Sequence, residues 1–238
     1  MKKSEIARFL ILRSIGNFLV LFALYGVSAT FGPALYFEVN FRLNQLQGVH
    51  YIVASAKTTP PSVDKTQPAN PTTQQGGQFS AIAANDKEKI LIPIDTQFGI
   101  LIPKIGANAP VIANVDPNNE DEYLPALQKG VAHAKGTVFP GMKGNIYLFA
   151  HSTDNFWDVG RYNAVFYLLK DLTVGDDIVV FFEGLRHNYK VTESNIVDPT
   201  DVNYLLTSHQ SDSEKLILQT CWPPGTAWKR LLVVAVPK

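Results

Sequence analysis

The fold is decided by the stretch Lys215-Leu-Ile-Leu-Gln-Thr-Cys-Trp-Pro-Pro-Gly-Thr-Ala-Trp-Lys-Arg-Leu-Leu-Val-Val-Ala-Val236. Its two apolar runs flank a turn that contains two prolines and a glycine, a pattern typical of β-strands joined by a loop. Further short strand candidates precede it at 99–103, 110–113, 145–150, 177–182 and 187–192, the last of which alternates polar and apolar residues. Together these runs predict a mainly β domain, closed or sandwiched, with short helices at 120–129 and 161–170.

This β-rich domain is predicted to extend over residues 88–238. The whole chain has 238 residues, 46% of them apolar, and its 21 basic residues balance its 21 acidic ones. A nucleic-acid binder normally carries a basic excess, so nucleic acid is excluded as a partner. The single cysteine excludes an internal disulfide and a zinc site built from several cysteines. The sequence predicts no cofactor and no metal.

The N-terminal part has the pattern of a membrane anchor. Residues 1–13 are basic, and residues 14–37 carry no charge. A helix of that length reaches roughly 36 Å, enough to cross a hydrocarbon core of about 30 Å. The basic flank predicts a cytoplasmic N-terminus, which leaves everything after residue 37 outside the cell. Two alternatives stay open: a signal peptide processed at Val27-Ser-Ala29, and a buried helix of a soluble protein.

Residues 38–87 are expected to separate this anchor from the β-rich domain. Their first part, up to residue 57, is mixed in composition and can extend the helix. Thr58–Gln78 is rich in Pro, Thr and Gln, and one valine is its only sizeable apolar residue. Because such a segment cannot bury enough apolar surface to offset its ordering entropy, we predict a disordered spacer that spans roughly 25 Å.

Three side chains are candidates for catalysis. Cys221 ends one apolar run and Arg230 begins the next, so the two lie side by side if these strands pair. A nearby cation stabilises a thiolate, and an arginine also stabilises the oxyanion of an acyl-transfer intermediate. His151 follows the run 145–150 and is the imidazole best placed for proton transfer. Taken separately, a lone cysteine is usually a small buried apolar residue, and a lone histidine is usually structural.

At these positions the sequence resembles the sortases, the membrane-anchored cysteine transpeptidases of bacterial surfaces. Leu218-Gln-Thr-Cys221 with Arg230 is similar to the TLxTC…R signature, and Gly144-Asn145 to Ala150-His151 resembles the GN…GH motif. The loop Cys-x-Pro-x-Gly-Thr-x-x-x-Arg, residues 221–230, is similar to the form found in sortases outside class A. Further segments match along the domain at 102–106, 130–137, 140–141, 175–176, 189–191 and 197–199.

Two departures from the family pattern weaken the assignment of a subclass more than that of the activity. Ile217 replaces the first Thr of TLxTC, and Ala150 replaces the Gly before the histidine. The resemblance implies a sortase-like closed β-barrel of about seven to eight strands with short helices, preceded by one transmembrane helix. It also implies that Cys221, His151 and Arg230 are the catalytic residues.

The reaction implied by the resemblance is transpeptidation. Cys221 would attack the carbonyl before the scissile bond of an LPxTG-like sorting motif, near the C-terminus of a secreted protein, and form a thioacyl-enzyme. His151 would protonate the leaving amine and then deprotonate the incoming one, while Arg230 stabilises the oxyanion. The implied partners are secreted proteins that bear the motif, an amine of a cell-wall precursor or a pilin lysine, and the lipid bilayer. The implied location is the cell membrane, with the catalytic domain outside.

Several other residues are predicted to contact the substrate: Thr220, Ala150, Ser152, Trp222 and His133. Trp222, like Trp228, lies in the loop between the cysteine and the arginine and can line a peptide groove, with core packing as the alternative. His133 lies in the family-like segment 130–137, where a structural hydrogen-bonding role is the alternative. The acidic residues of 116–122 match no EF-hand spacing, which favours a solvated loop over a calcium site.

Three other functions are compatible with parts of this pattern. A membrane-tethered barrel that has lost catalysis and acts in pilus or envelope assembly is disfavoured by the intact catalytic set. A cysteine peptidase that hydrolyses its substrate would use the same residues, and only a transpeptidase would yield an amine adduct. An L,D-transpeptidase presents its cysteine in a Ser-x-Gly-Cys context, whereas this chain has Gln219-Thr-Cys-Trp222.

Overall fold

The computed structural model describes residues 3–53, 81–85, 88–152 and 165–238. Within these ranges the α-helices are α1 (Lys3–Leu46), α2 (Glu120–Lys129) and α3 (Asn203–Leu206). The strands are β1 (His50–Val53), β2 (Ala81–Asn85), β3 (Glu88–Leu91), β4 (Phe98–Ile102), β5 (Ala107–Val115), β6 (Val131–Ala134), β7 (Gly144–Phe149), β8 (Asp177–Phe182), β9 (Leu185–Val197), β10 (Glu214–Trp222) and β11 (Lys229–Pro237). Short 3₁₀ helices at Pro103–Ile105 and Tyr167–Asp171 precede β5 and β8.

Eight of the described strands close a barrel in the order β10-β11-β9-β8-β4-β5-β6-β7, and β7 pairs with β10 to complete it. The β5–β6 and β7–β10 pairs are parallel, and the other pairs in the barrel are antiparallel. The prediction of a mainly β, closed barrel of seven to eight strands is confirmed. The seven strand candidates correspond to seven barrel strands, and β6 is the eighth strand.

Both faces of β4 and β8 are covered, which explains why their sequences are apolar without interruption. Ile100 and Val180 point into the main core, whereas Leu101 and Val179, one residue along, belong to a second apolar cluster. Because successive side chains of a strand point to opposite faces, one set fills the barrel and the other lies against its outside.

A small sheet covers this outer cluster. Its order is β1-β3-β2, with β1 parallel to β3 and β2 antiparallel to it. Tyr51 and Val53 of β1 pack against the second cluster. Both β1 and β2 fall within residues 38–87, where the sequence predicts a spacer, and the segment predicted to be disordered, Thr58–Gln78, lies outside the described residues.

The predicted short helices differ in outcome. The helix at 120–129 is confirmed as α2. Asn119 caps it by accepting a hydrogen bond from the Asp121 N–H at 3.2 Å, and its first turn is acidic, which suits the positive end of the helix dipole. Of the helix predicted at 161–170, residues 161–164 lie outside the described residues, and Tyr167–Asp171 forms a 3₁₀ helix.

The chain divides into two compact units, Met1–Asn40 and Phe41–Lys238. The first holds most of α1, and its stretch Arg8–Ala29 is long and apolar enough to cross a membrane. This stretch begins and ends earlier in the chain than the predicted span 14–37. A signal sequence near an N-terminus has the same length and composition, so that alternative stays open.

Candidate active site

Two neighbouring parallel strands, β7 and β10, end together at the site. Phe149 is the partner of Gln219 in this pair, and the next residue, Ala150, donates its N–H to the Gln219 carbonyl at 3.1 Å. Adjacent strands lie about 4.8 Å apart. Continuing this register by two residues from Phe149 and Gln219 brings His151 opposite Cys221. The two residues are therefore placed side by side at the strand ends.

The third predicted catalytic residue, Arg230, lies directly opposite Cys221 in the antiparallel β10–β11 pair. Directly opposed residues have Cβ atoms about 4.5–5.5 Å apart, so the two side chains leave the sheet at the same level. One guanidinium nitrogen, Nη1, donates to the carbonyl oxygens of Ala227 at 3.1 Å and Lys229 at 3.2 Å. Cys221 is partly exposed, as a nucleophile that meets a substrate must be.

The face of the sheet that carries Cys221 also carries Gln219, two residues earlier on β10. The buried Tyr147 of β7 donates its hydroxyl hydrogen to Gln219 Oε1 at 2.7 Å. Burial raises the pKa of Tyr147 strongly, although the positive charge of Arg230 acts in the opposite direction, so this phenol stays a proton donor at neutral pH. In the described part of the chain, the Gln219 side chain has no second hydrogen-bond partner, which leaves its NH₂ group available to a bound peptide.

Tyr123, in the first turn of α2, also lies near the site. Its hydroxyl donates to Glu120 Oε1 at 3.3 Å. Burial and then Glu120 raise the pKa of this phenol, Arg230 lowers it, and Cys221 contributes a small further increase. Cys221 and Arg230 both affect the pKa of Tyr123, so this part of α2 lies within electrostatic range of the two side chains.

The beginning of β7, at the other end of this strand from the site, anchors the connection between β9 and β10. The Asn145 N–H donates to the Ser208 carbonyl at 2.8 Å, and its side-chain Nδ2 donates to the Tyr204 carbonyl at 3.0 Å. A Cβ at Gly144 would collide with that same Ser208 carbonyl, and the φ angle there is +128°. The Gly-Asn pair of the GN…GH motif therefore holds the α3 region against β7.

Three of the residues predicted to contact substrate are instead buried at the ends of β7 and β10. Thr220 is buried and donates its hydroxyl hydrogen to the Ala150 carbonyl at 3.0 Å. Ala150 itself is 5% exposed and Ser152 is 2% exposed, which leaves little of either side chain for a substrate. The hydroxyl of Thr220 thus ties β10 to β7 one residue before each of the two catalytic candidates.

His133 is fully buried, and the structural alternative accounts for its position. Its Nδ1 accepts the Asn114 N–H at 3.3 Å, so Nε2 carries the hydrogen and donates to the Val138 carbonyl at 3.1 Å. The ring stacks on Phe139 with centroids 4.5 Å apart. Burial lowers the pKa of His133, opposed by the hydrogen bond to Val138. A contact between His133 and the substrate is not compatible with this burial.

The loop from Cys221 to Arg230 presents two tryptophans differently. Trp222 is partly buried and packs against the main core, whereas Trp228 is 74% exposed. Core packing is thus observed for Trp222, and Trp228 is the tryptophan accessible to a peptide. Among the described residues, no group of three or more His, Cys, Asp or Glu side chains is arranged to hold a metal ion. In the acidic stretch, Glu122 accepts the Asp116 N–H at 3.0 Å.

Sequence reasoning predicted Cys221, His151 and Arg230 as catalytic residues, and it did not single out Tyr147, Gln219 or Tyr123. The place of Gln219 follows from strand alternation, since it is two residues before the cysteine and shares its face. The other two depend on which strands and helices neighbour the site, which no local sequence pattern reveals.

The closed barrel corresponds to a known family. A family model described as the sortase domain matches residues 100–238, more than half of the chain. The chain therefore belongs to the sortase family, whose members are cysteine transpeptidases.

Individual relatives and structures agree with this assignment. The chain is 29% identical over 167 residues to Sortase D of Bacillus subtilis (strain 168), a match that covers 68% of this chain and 75% of the relative. Sortase A from Corynebacterium diphtheriae superimposes with a TM-score of 0.50 at 25% identity, covering 60% of this chain and 61% of that one. Sortase C-1 from Actinomyces oris gives a TM-score of 0.50 at 26% identity, covering 61% and 75%. The chain thus spans less than two thirds of the Corynebacterium protein.

Proposed function

We propose that this protein is a membrane-bound transpeptidase that cleaves an LPxTG-like sorting motif of secreted proteins and transfers the acyl group to an amine of the cell envelope or a pilin. The observation that supports this proposal most directly is the direct pairing of Cys221 with Arg230, with His151 at the end of the adjacent parallel strand. This arrangement supplies a nucleophile, an oxyanion donor and a proton carrier at three neighbouring strand ends.

The first half-reaction is acylation of the cysteine. The Cys221 thiolate attacks the carbonyl carbon before the scissile bond, and the electron pair of the carbonyl moves onto its oxygen. Arg230, whose Nη1 is held by two carbonyls of its own loop, directs its remaining N–H groups at this oxyanion. The C–N bond then breaks, and the imidazolium of His151 gives its proton to the leaving amine, which leaves a thioester on Cys221.

The second half-reaction is aminolysis of the thioester. An incoming primary amine attacks the thioester carbon, and the neutral His151 accepts a proton from the attacking nitrogen. Collapse of the intermediate breaks the C–S bond and regenerates the thiolate and the imidazolium. The acceptor is an amine of a cell-wall precursor or a lysine of a pilin. Water in place of the amine would give hydrolysis from the same thioester.

The peptide is positioned by groups that surround the nucleophile. The free NH₂ of Gln219 donates to a carbonyl of the bound peptide, because Tyr147 already occupies the amide oxygen. Trp228 offers an exposed aromatic surface in the loop that ends at Arg230. Placement at the outer face of the cell membrane follows from α1, whose stretch Arg8–Ala29 serves as the anchor, with a cytoplasmic N-terminus.

The full-length chain in detergent micelles tests this proposal with an LPxTG-type peptide library and, as acceptors, triglycine or a lysine peptide. Mass spectrometry should find a thioacyl adduct on Cys221 and an amide product that contains the acceptor. Cys221→Ala removes both species and serves as the control for adducts at other positions. The matched variant Ser194→Ala lies on the neighbouring β9, is exposed, and should behave as the parent.

Each alternative function gives a distinct result in this assay. Cleaved peptide without acceptor adduct at saturating amine would identify a hydrolytic peptidase. No adduct across the library, together with no labelling of Cys221 by iodoacetamide, would identify a non-catalytic barrel. Iodoacetamide labelling without any adduct would show a reactive thiol whose substrate is not of the LPxTG type, which would contradict the proposed motif.

A further inference from the structure

The chain between the helix and the barrel is bound to the catalytic unit much earlier than residue 88. Phe41, in the last part of α1, is 7% exposed and belongs to the same core cluster as the barrel strands. Next to it, Arg42 Nη2 lies 3.5 Å from Asp171 Oδ1, in the 3₁₀ helix before β8. These two contacts are apolar and ionic, and both attach the end of α1 to the catalytic unit.

The strand β1 provides a second attachment. His50–Val53 pairs with Glu88–Leu91 along its whole length, from His50 opposite Glu88 to Val53 opposite Leu91. Tyr51 and Val53 also pack against a second apolar cluster, in which Leu91 of β3 meets Leu101, Val179 and Phe181 on the outside of the barrel. These three barrel side chains are at most 8% exposed, so the small sheet lies over an otherwise exposed apolar surface.

Because of these attachments, residues 54–80 are not the spacer that separates the helix from the barrel. The chain leaves the small sheet at Val53 and returns to the same sheet at Ala81. Since both ends are held by β3, the number of residues between them sets no distance between the helix and the barrel. The covalent spacer is instead residues 30–40, between the apolar stretch that ends at Ala29 and the docked Phe41. Eleven residues extend at most about 40 Å, and roughly 17 Å as a helix.

We propose that residues 41–53 are a docking element. Their noncovalent contacts hold the catalytic unit to the anchor-bearing helix even when the covalent connection through residues 54–80 is cut. The docking element is a segment of this same chain. Its β1 part binds to β3 and to the outer face of β4 and β8, and its Phe41 side chain fills a position in the main core. The proposal does not depend on the reaction that the site performs.

A cleavable chain tests this directly. Residues 66–72 (TQPANPT) are replaced by a seven-residue recognition sequence for a site-specific protease, in the full-length chain with an N-terminal affinity tag. The protein is solubilised in detergent, so that no bilayer retains a fragment, and is cut on the affinity resin. We expect at least nine-tenths of the C-terminal fragment to stay on the resin in native buffer and to elute in 8 M urea.

Matched variants assign the retention to the docking element. Phe41→Ala with Tyr51→Ala removes the buried Phe41 side chain and the partly buried Tyr51 side chain that packs on the outer cluster, and should increase release of the fragment at least tenfold. Leu43→Ala with Ile52→Ala removes two exposed side chains, 47% and 44% accessible, from the same helix end and the same strand, and should leave release unchanged. Cooperative thermal unfolding of each uncut chain, followed by circular dichroism, shows that the barrel itself is folded.

Two outcomes would overturn the proposal. Prompt elution of the fragment from the cut parent protein in native buffer would show that residues 54–80 are the tether. Equal retention in the parent and in the Phe41→Ala, Tyr51→Ala chain would show that other contacts hold the two pieces. If the double variant does not fold, hydrogen exchange of the cut parent decides the question, because undocking exposes the amides of Glu88–Leu91 and docking protects them.

Discussion

Replacing Thr220 by valine tests how the site is held together. The Thr220 hydroxyl donates to the Ala150 carbonyl at 3.0 Å, and the residues that follow these two are Cys221 and His151. Valine has nearly the same shape as threonine but lacks the donor. Thr220 is 2% exposed and Ala150 is 5% exposed, so water cannot readily replace the lost hydrogen bond.

The expected effect has two parts. Loss of one buried hydrogen bond costs about 1 kcal/mol, and up to about 3 kcal/mol if the carbonyl is left unsatisfied. For a domain of this size, about 2–4 °C of Tm corresponds to each kcal/mol, so the Tm should fall by roughly 2–12 °C. Freed strand ends also misplace Cys221 relative to His151, and an error near 1 Å costs up to about 100-fold in rate. We expect acylation to slow by roughly 10- to 100-fold.

The measurement combines differential scanning calorimetry with the rate of thioacyl formation. Thr220→Ser keeps the hydroxyl and loses a methyl group, so it should retain most of the rate while losing some stability. A valine variant that acylates as fast as the parent, with an unchanged Tm, would refute the view that this hydrogen bond aligns the two strand ends. A valine variant that loses stability but no rate would restrict the role of Thr220 to folding.

Three further variants probe other parts of the molecule. Arg230→Lys should slow thioacyl formation by about 10²-fold, because a single ammonium cannot donate to the loop carbonyls and also to the oxyanion. An unchanged rate would show that the arginine takes no part in the mechanism. Tyr147→Phe should lower the free energy of unfolding in urea by about 1 kcal/mol and raise KM, because it frees the Gln219 amide to rotate; an unaltered KM would contradict the role of that amide. Burial lowers the pKa of His133 in the folded state, so the stability from its neutral ring is complete above the unfolded value near 6.5 and is lost as the pH falls below it. Urea titrations between pH 5 and pH 7.5 should show this loss in the parent and in the control His209→Gln, whereas His133→Phe should flatten it.

The barrel strands and the pairing of Cys221 with Arg230 were accessible from the sequence for a physical reason. Strands such as 177–182 and 230–236 are buried on both faces or end at turns, so they appear as short apolar runs between glycines and prolines. Cys221 and Arg230 are separated by only one loop, and pairing of the two strands was enough to place them together. The pairing of two antiparallel strands that follow one another in the sequence can thus be predicted from the local sequence pattern alone.

Long-range placement was not accessible in the same way. β1 has only four residues, lies before a polar segment, and is stabilised by β3, which follows some 35 residues later. The two ring nitrogens of the buried His133 form hydrogen bonds with the backbone of Asn114 and Val138. Nothing in the sequence around residue 133 reveals these partners. The contact between Tyr147 and Gln219 likewise requires the parallel register of β7 and β10.

The parallel pairing of β7 with β10 has a consequence for when the protein becomes reactive. Phe149 and Gln219, partners in this pair, are 70 residues apart in the sequence, so their association carries a large loop-closure entropy and belongs to the slow, non-local part of folding. His151 therefore comes beside Cys221 only when the β7–β10 pair has formed. If these residues act as we propose, a chain without this pair carries a thiol that lacks its proton carrier. Competence for the proposed reaction is then a property of the closed barrel and of no separate strand.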